Sequence, residues 1–261
     1  MRIFSYLKRS VSIIRKYGIT AFFRKIQFYL IRKFNKKKEP HFAEEYQNYV
    51  NNLLKVYPRD VAMSIAAGGG YTDIGNLQKE ILLNYGLKPN MRVIDLGCGS
   101  GRLAHALPVD YNLNYLGIDV VEDLLEYAKT KSPKNYKFNI HKKLLTIPVI
   151  SESIDIICAF ELFPLLLHEE IFIYLEDMKR ALKKGGKVIF SFLEFNIDSH
   201  WFIFNESVND RKKKIAVHLN TFTEKSVLQM WADKIGFKIV EFTDGTFAGR
   251  SYGQSLAVFE K

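Results

Sequence analysis

Residues 92–101 read Arg92-Val93-Ile94-Asp95-Leu96-Gly97-Cys98-Gly99-Ser100-Gly101, a short apolar run ending in a carboxylate and a leucine, then three alternating glycines. An apolar stretch of this length bounded by a turn is the pattern of a strand covered on both faces. Glycines behind it let the backbone approach a ligand, and the unpaired N–H groups of the helix they open favour an anionic group. The ligand can be narrowed further. Where a dinucleotide loop GxGxxG would carry its third glycine, this chain has Arg102. Asp95 stands just ahead of the loop, where a carboxylate repels a pyrophosphate and suits a cationic ligand. A second acid, Asp119, follows 22 residues after Gly97, at the end of another β-rich run, where it can accept both hydroxyls of a ribose. The pair implies a positively charged nucleoside without a diphosphate.

Outward from this stretch, β-rich runs alternate with helical ones. Strands are predicted at 92–96, 115–119, 136–140, 154–160, 187–193, 237–242 and 255–259, and helices near 101–107, 121–130, 169–182 and 223–235. Thr221-Phe222-Thr223-Glu224 reads as a capping box for the last helix. Strands separated by helices predict an α/β fold of Rossmann-like type, a mostly parallel seven-stranded sheet with helices on both faces. The last two strands lack a helix between them, so the final strand is expected to be antiparallel.

Further segments join the glycine loop: Gly117-Ile118-Asp119, Ser153-Ile154-Asp155-Ile156-Ile157 leading to Phe160-Glu161, and Leu182-Lys183-Lys184-Gly185-Gly186-Lys187. Together they resemble the class I S-adenosylmethionine-dependent methyltransferases, closely over residues 91–193 and more loosely beyond. The resemblance implies S-adenosylmethionine as cofactor, with Asp95, Gly97, Cys98 and Gly99 along its methionine part, Asp119 at the ribose, Val120 on the adenine face, and Phe160 with Glu161 near the sulfonium. Many relatives have an acid after the third strand to read adenine. Residues 139–146 contain none, leaving a backbone carbonyl, Asn139 or His141 for that role. The segment from Phe163 to Gly186 resembles methyltransferases associated with bacterial surface-glycan synthesis.

For the methyl acceptor, two segments stand out. Gly68-Gly69-Gly70-Tyr71 precedes a helix near 76–85 and reads as a lid with Tyr71 at the cofactor. The long connection 192–222 holds Glu194, His200 and several aromatics, and the loop 245–253 adds Phe247, Arg250 and Tyr252. Together these are expected to form an aromatic acceptor pocket. A hydroxyl acceptor benefits from a general base, for which His200, Glu194, Glu161 and His168 are the candidates, His168 more readily beginning or flanking the helix at Glu169. Cys98 and Cys158 read as small buried residues, and no cluster of acids and histidines suggests a metal.

The 261 residues carry a formal charge of +10. Residues 1–38 hold twelve Lys or Arg and no acid, which leaves the other 223 positions with 26 basic and 28 acidic residues. Electrostatic partners therefore belong to this arm. Its apolar residues recur at helical spacing, so it reads as a basic amphipathic helical extension suited to an anionic membrane surface, the alternatives being that the apolar stripe packs on the domain or that the arm serves targeting or RNA contact. It is too short of uncharged residues to span a bilayer. The expected organisation is the arm at 1–38, a helical lead-in and lid at 39–90, and the catalytic domain at 91–261. A cytoplasmic location, peripheral on the inner membrane face, follows from the arm and from the sparse cysteines. The expected function is O-methylation of a sugar, glycan or lipid-linked intermediate; the alternatives are methylation of a quinone, lipid or other metabolite, or a catalytically inactive cofactor-binding module. Nucleic acid is not an expected partner, because the basic residues ride an apolar helical face and the fourth strand runs into Phe160-Glu161-Leu162-Phe163, unlike the tetrapeptide of base-amino methylases.

Overall fold

The computed structural model describes residues 41–141, 145–214 and 219–261, without the side chains of 41–43 and 45. The basic arm and residues 142–144 of the segment expected to read adenine lie outside the described residues. Strand β1 (Arg92–Leu96) is buried at every position but its first, and it pairs in parallel with β2 (Asn114–Asp119) on one side and β4 (Ile154–Ala159) on the other. β3 (Lys137–Ile140) extends the sheet beyond β2, and β5 (Leu182–Phe192) beyond β4. β9 (Ser255–Glu260) lies antiparallel between β5 and β6 (Lys238–Thr243), giving the order β3-β2-β1-β4-β5-β9-β6. This is the expected seven-stranded, mostly parallel sheet. Its chain order reverses between β1 and β4, which opens a crevice at their carboxyl ends. A two-residue hairpin, β7 (Thr246–Phe247) with β8 (Arg250–Ser251), sits in the connection between β6 and β9.

Helices cover both faces. Ile94, Ile157 and Phe190 pack against α6 (His168–Ala181) and α8 (Lys225–Ile235), while Val93, Ile156 and Ile189 pack against α3 (Tyr71–Asn84) and α4 (Arg102–Ala106). Each of these strands presents apolar residues to both layers, which is why they read as unbroken apolar runs. A third cluster joins α1 (His41–Val56) and α2 (Arg59–Ala66) to α5 (Glu122–Lys131) through Val50, Met63 and Leu124. Residues 41–90 are thus built into the same unit as the sheet. α7 (Asp198–Lys212) fills part of the long connection after β5 and buries only His200.

Several local expectations are corrected. α8 begins at Lys225, four residues after Thr221, and no side chain caps it; the Glu224 carboxylate instead accepts from the Phe195 N–H (3.0 Å) and from Asn196 Nδ2 (3.1 Å). Thr221 is too early to be the cap, so the capping box does not form. α3 starts at Tyr71 rather than near 76, directly after the glycines. β5 begins five residues early, at Leu182, because Leu182 pairs with Ile154 before the register shifts. Glycine at 101 is a packing requirement: a Cβ there would stand 2.6 Å from that of Ala128, so α4 and α5 could not approach.

Candidate active site

The carboxyl ends of β1, β2 and β4 converge on a cavity of about 400 Å3. Asp95, Gly97 and Cys98 contribute from β1 and its loop, Asp119 and Val120 from β2, and Phe160 and Glu161 from the end of β4. A Cβ added at Gly99 would meet nothing within 4 Å, so the bare backbone of this turn faces open space.

Asp119 and Asp95 are both buried but differently held. The Asp119 carboxylate accepts three backbone N–H groups, from Gly99 (2.9 Å), Val120 (2.8 Å) and Val121 (3.0 Å). A carboxylate offers about four lone-pair sites, so capacity is left for a ligand hydroxyl. Burial raises its pKa, against the pull of these bonds. Asp95 accepts the Tyr115 hydroxyl at 2.6 Å and a weak bond from the Cys158 thiol at 3.6 Å. Burial pushes its carboxyl from 3.8 up to about 6. A buried carboxylate with so little compensation is stabilised by a cation placed beside it. Burial also raises both cysteine thiols well above their ordinary value, which disfavours the reactive thiolate.

Glu161 adopts a left-handed backbone, φ 58°, uncommon outside glycine and asparagine and often a mark of functional sites. Its N–H donates to Ser191 Oγ at 2.6 Å, and that hydroxyl donates to Gln254 Oε1 at 2.7 Å. Its carboxylate is ion-paired with the nearly buried Arg102 guanidinium at 2.5 Å and accepts the Tyr252 hydroxyl at 3.2 Å. Arg102 also donates to the carbonyls of Ala67 and Gly69. One guanidinium thus ties the glycine segment to the end of β4, with Glu161 at the wall of the cavity.

Seven of the eight expected cofactor residues line this cavity: Asp95, Gly97, Cys98, Gly99, Asp119, Val120 and Phe160. Tyr71 does not. Its hydroxyl donates to the Ser100 carbonyl at 3.0 Å and its ring packs between His105 and Tyr127, so it braces the glycine loop from behind. Among the candidate bases only Glu161 reaches the cavity. The Glu194 carboxylate accepts from Ser255 Oγ and pairs with Lys225 at 3.2 Å. His200 is 1% exposed, its Nδ1 3.2 Å from the Glu194 amide nitrogen and 3.3 Å from that residue's carbonyl oxygen. Glu194 is thus held against β9 and α8 and His200 against the Glu194 backbone, and neither lines the cavity, so the catalytic role expected for them is withdrawn. Burial also lowers the His200 pKa. His168 begins α6 as expected, its Nε2 3.1 Å from the Phe222 carbonyl. His141, and not Asn139, lines the cavity. The expected aromatic pocket is also revised: Phe195, Phe204 and Phe222 pack on one another outside the cavity, and among the described residues of that connection only Leu219 and Asn220 line it.

Sequence reading missed Arg102, Gln254 and the roof. Tyr46, Tyr49 and Ala66 close the cavity from α1 and α2. The tyrosine rings stack at 6.0 Å and the Tyr46 hydroxyl donates to the Ala66 carbonyl. Their i, i+3 spacing showed a shared helical face, though nothing in it said what that face would cover.

Two acids beneath a bare glycine turn, at the switch point of a seven-stranded sheet, define an α/β nucleoside-binding protein of the class that moves groups from a cationic cofactor. Residues 87–240 match the methyltransferase domain family, and the chain belongs to it. Residues in this span form an S-adenosylmethionine-dependent methyltransferase domain. The ubiquinone biosynthesis O-methyltransferase of Coxiella burnetii is 26% identical over 156 residues, 58% of this chain and 65% of that protein. The demethylmenaquinone methyltransferase of Staphylococcus aureus is 30% identical over 116 residues, 43% of this chain and 47% of the other. The chain spans between about half and just under two thirds of these curated relatives. Magnesium protoporphyrin IX methyltransferase from Synechocystis, solved with S-adenosylmethionine bound, superposes with a TM-score of 0.58 at 13% identity, covering 87% of this chain and 100% of that one. This likeness concerns the fold.

S-adenosylmethionine fits the cavity on this chain's own chemistry: Asp119 would hold the ribose, Asp95 and the loop backbone the methionine end, and Val120 the adenine. When bound, it supplies a methyl group already activated by its sulfonium. The described residues include no group of three or more His, Cys, Asp or Glu able to hold a metal.

Proposed function

We propose that this protein O-methylates a hydroxyl of a lipid-linked sugar or similar amphiphilic intermediate at the cytoplasmic membrane face. Glu161 carries the reading of the site, as the one of the bases expected from the sequence that lines the cavity, at the end of β4 beside Phe160. Its carboxylate orients the acceptor hydroxyl and takes its proton, with Arg102 and Tyr252 fixing its position. Phe160 and Leu162 keep water from the same space. The basic arm supports the membrane location; among the described residues no helix is long and apolar enough to cross a bilayer. A quinol acceptor is the second reading, favoured by the names of the Coxiella and Staphylococcus relatives.

Labelled methyl transfer from S-adenosylmethionine into a bacterial membrane extract, separated into lipid, glycolipid and quinone fractions, tests this. Label in a glycolipid fraction supports the first reading and label in quinones the second. Label confined to water-soluble products would remove both. Binding of S-adenosylhomocysteine without any transfer would leave the inactive module.

A further inference from the structure

Gln254, the residue before β9, lines the nucleoside cavity. Hydrogen-bond polarity fixes which way its amide faces. The Glu161 N–H can only donate, so Ser191 Oγ accepts there at 2.6 Å and its own proton must go elsewhere. It goes to Gln254 at 2.7 Å, and only the oxygen of that amide can receive it. Nε2 is left with two N–H groups, and among the described residues nothing accepts from them. The unpartnered side-chain atoms sealed from solvent are Gln78 Oε1, Ser132 Oγ and Tyr136 Oη. Gln254 Nε2 is not one of these, so it is open to a ligand.

Glu161 complements this amide. Both donors to its carboxylate, Arg102 Nη2 and the Tyr252 hydroxyl, reach Oε1, at 2.5 and 3.2 Å. Oε2 accepts from no described residue, and a Cβ on Gly68 would stand 2.6 Å from it, so the bare glycine keeps that oxygen clear. One stretch of wall therefore offers a proton acceptor and a pair of donors, bridged by a single serine hydroxyl. Strand order shows which ligand they serve. The cofactor acids stand at the ends of β2 and β1, Glu161 follows β4, Ser191 is on β5 and Gln254 leads into β9, in the order β2-β1-β4-β5-β9. At about 4.8 Å per strand, β5 lies roughly 10 Å across the sheet from β1. The amide that Ser191 anchors is thus on the far side of Glu161 from Asp95 and the ribose acid.

We infer that Gln254 determines acceptor specificity by donating to a second oxygen, on the carbon next to the methylated hydroxyl, so that the acceptor is a vicinal diol of sugar type rather than an isolated alcohol. The inference rests on the base role proposed above for Glu161. Glu161 Oε2 takes the proton of the hydroxyl whose oxygen gains the methyl group, with S-adenosylhomocysteine as the other product. Gln254 holds the neighbouring oxygen and so selects which of the two hydroxyls faces the base. An acceptor without that oxygen leaves the amide donors unpaired inside the cavity, which weakens its binding.

Two full-length variants test this. Gln254→Met removes the donor, and Gln254→Glu keeps the oxygen that accepts from Ser191 while removing only the N–H groups. Labelled methyl transfer from S-adenosylmethionine is followed into increasing amounts of a bacterial glycolipid extract, untreated or oxidised with periodate and then quenched with ethylene glycol. Periodate splits the bond between carbons bearing adjacent hydroxyls, so wild-type transfer is expected to be lost on the oxidised extract. On untreated extract both variants are expected to need roughly 10-fold more for half-saturation. A cooperative thermal melt confirms that they are folded, and S-adenosylhomocysteine affinity is expected to stay within a few-fold of wild type. Full transfer to oxidised extract, or unchanged half-saturation in both variants, would overturn the inference while leaving Glu161 as the base. A lower maximal rate at unchanged half-saturation would make Gln254 a support for Ser191 alone and overturn it too. Weaker S-adenosylhomocysteine with 5′-methylthioadenosine unaffected would move the amide to the methionine carboxylate, against the inference. No wild-type transfer into any fraction would overturn both the inference and the function on which it rests.

Discussion

Asp95→Asn separates what the buried acid does for the ligand from what it does to the fold. Burial holds its carboxyl at about 6 instead of 3.8, and each pH unit corresponds to about 1.4 kcal/mol. Ionised Asp95 therefore costs the ligand-free fold roughly 3 kcal/mol at neutral pH. The sign follows from the raised value. Because the fold disfavours the charged form, the Asp95 contribution is best below about pH 4, declines as the pH rises through about 6, and is flat above. An amide removes this dependence and can still accept the Tyr115 hydroxyl. At roughly 2–4 °C per kcal/mol for a unit of this size, ligand-free Asp95→Asn is expected to melt up to about 10 °C above wild type at pH 7.5, with the gain vanishing near pH 4. Cofactor binding is expected to move the other way. Losing a charge-assisted hydrogen bond to a cationic ligand costs roughly 1.5–3 kcal/mol, or 10- to 100-fold. Thermal melts from pH 4 to 8 and titration calorimetry with S-adenosylmethionine read both effects. A variant that binds S-adenosylmethionine as tightly as wild type, or whose ligand-free melting does not exceed wild type at pH 7.5, would refute this role for Asp95.

Asp119→Asn is expected to weaken S-adenosylhomocysteine and 5′-methylthioadenosine alike, by 10-fold or more, because both carry the ribose; a loss limited to the former would move Asp119 off the sugar. Glu161→Gln should keep S-adenosylhomocysteine affinity within a few-fold while methyl transfer to the extract falls roughly 100-fold, the scale of a lost general base. Equal transfer by the variant would leave positioning alone at this site. His200→Ala and Glu194→Ala are expected to lower the melting temperature, since each leaves buried partners unpaired, yet to leave cofactor affinity unchanged in calorimetry. Arg102→Leu would strand the Glu161 carboxylate and release the Ala67 and Gly69 carbonyls, a loss of roughly 3–5 kcal/mol seen in denaturant unfolding.

The cofactor half of the site was legible in the sequence because its residues sit in one short segment after another at strand ends. Asp95, the glycine turn and Asp119 fall where parallel strands must stop, and a strand buried on both faces announces itself as an apolar run. Local chemistry therefore determined the sheet, the ligand class and seven of the eight expected residues that line the cavity. Tyr71, Glu194 and His200 show the limit: each was close to the site along the chain, yet a single χ rotation or helical turn aims the side chain into packing instead. Only tertiary structure decided that Glu161, alone of the expected bases, lines the cavity, that Arg102 ties it to carbonyls more than 30 residues earlier, and that two tyrosines of the first described helix form the roof. Such pairings depend on loop closures whose geometry leaves no periodic mark in the sequence, since a side chain's direction is set by what packs behind it rather than by its neighbours along the chain.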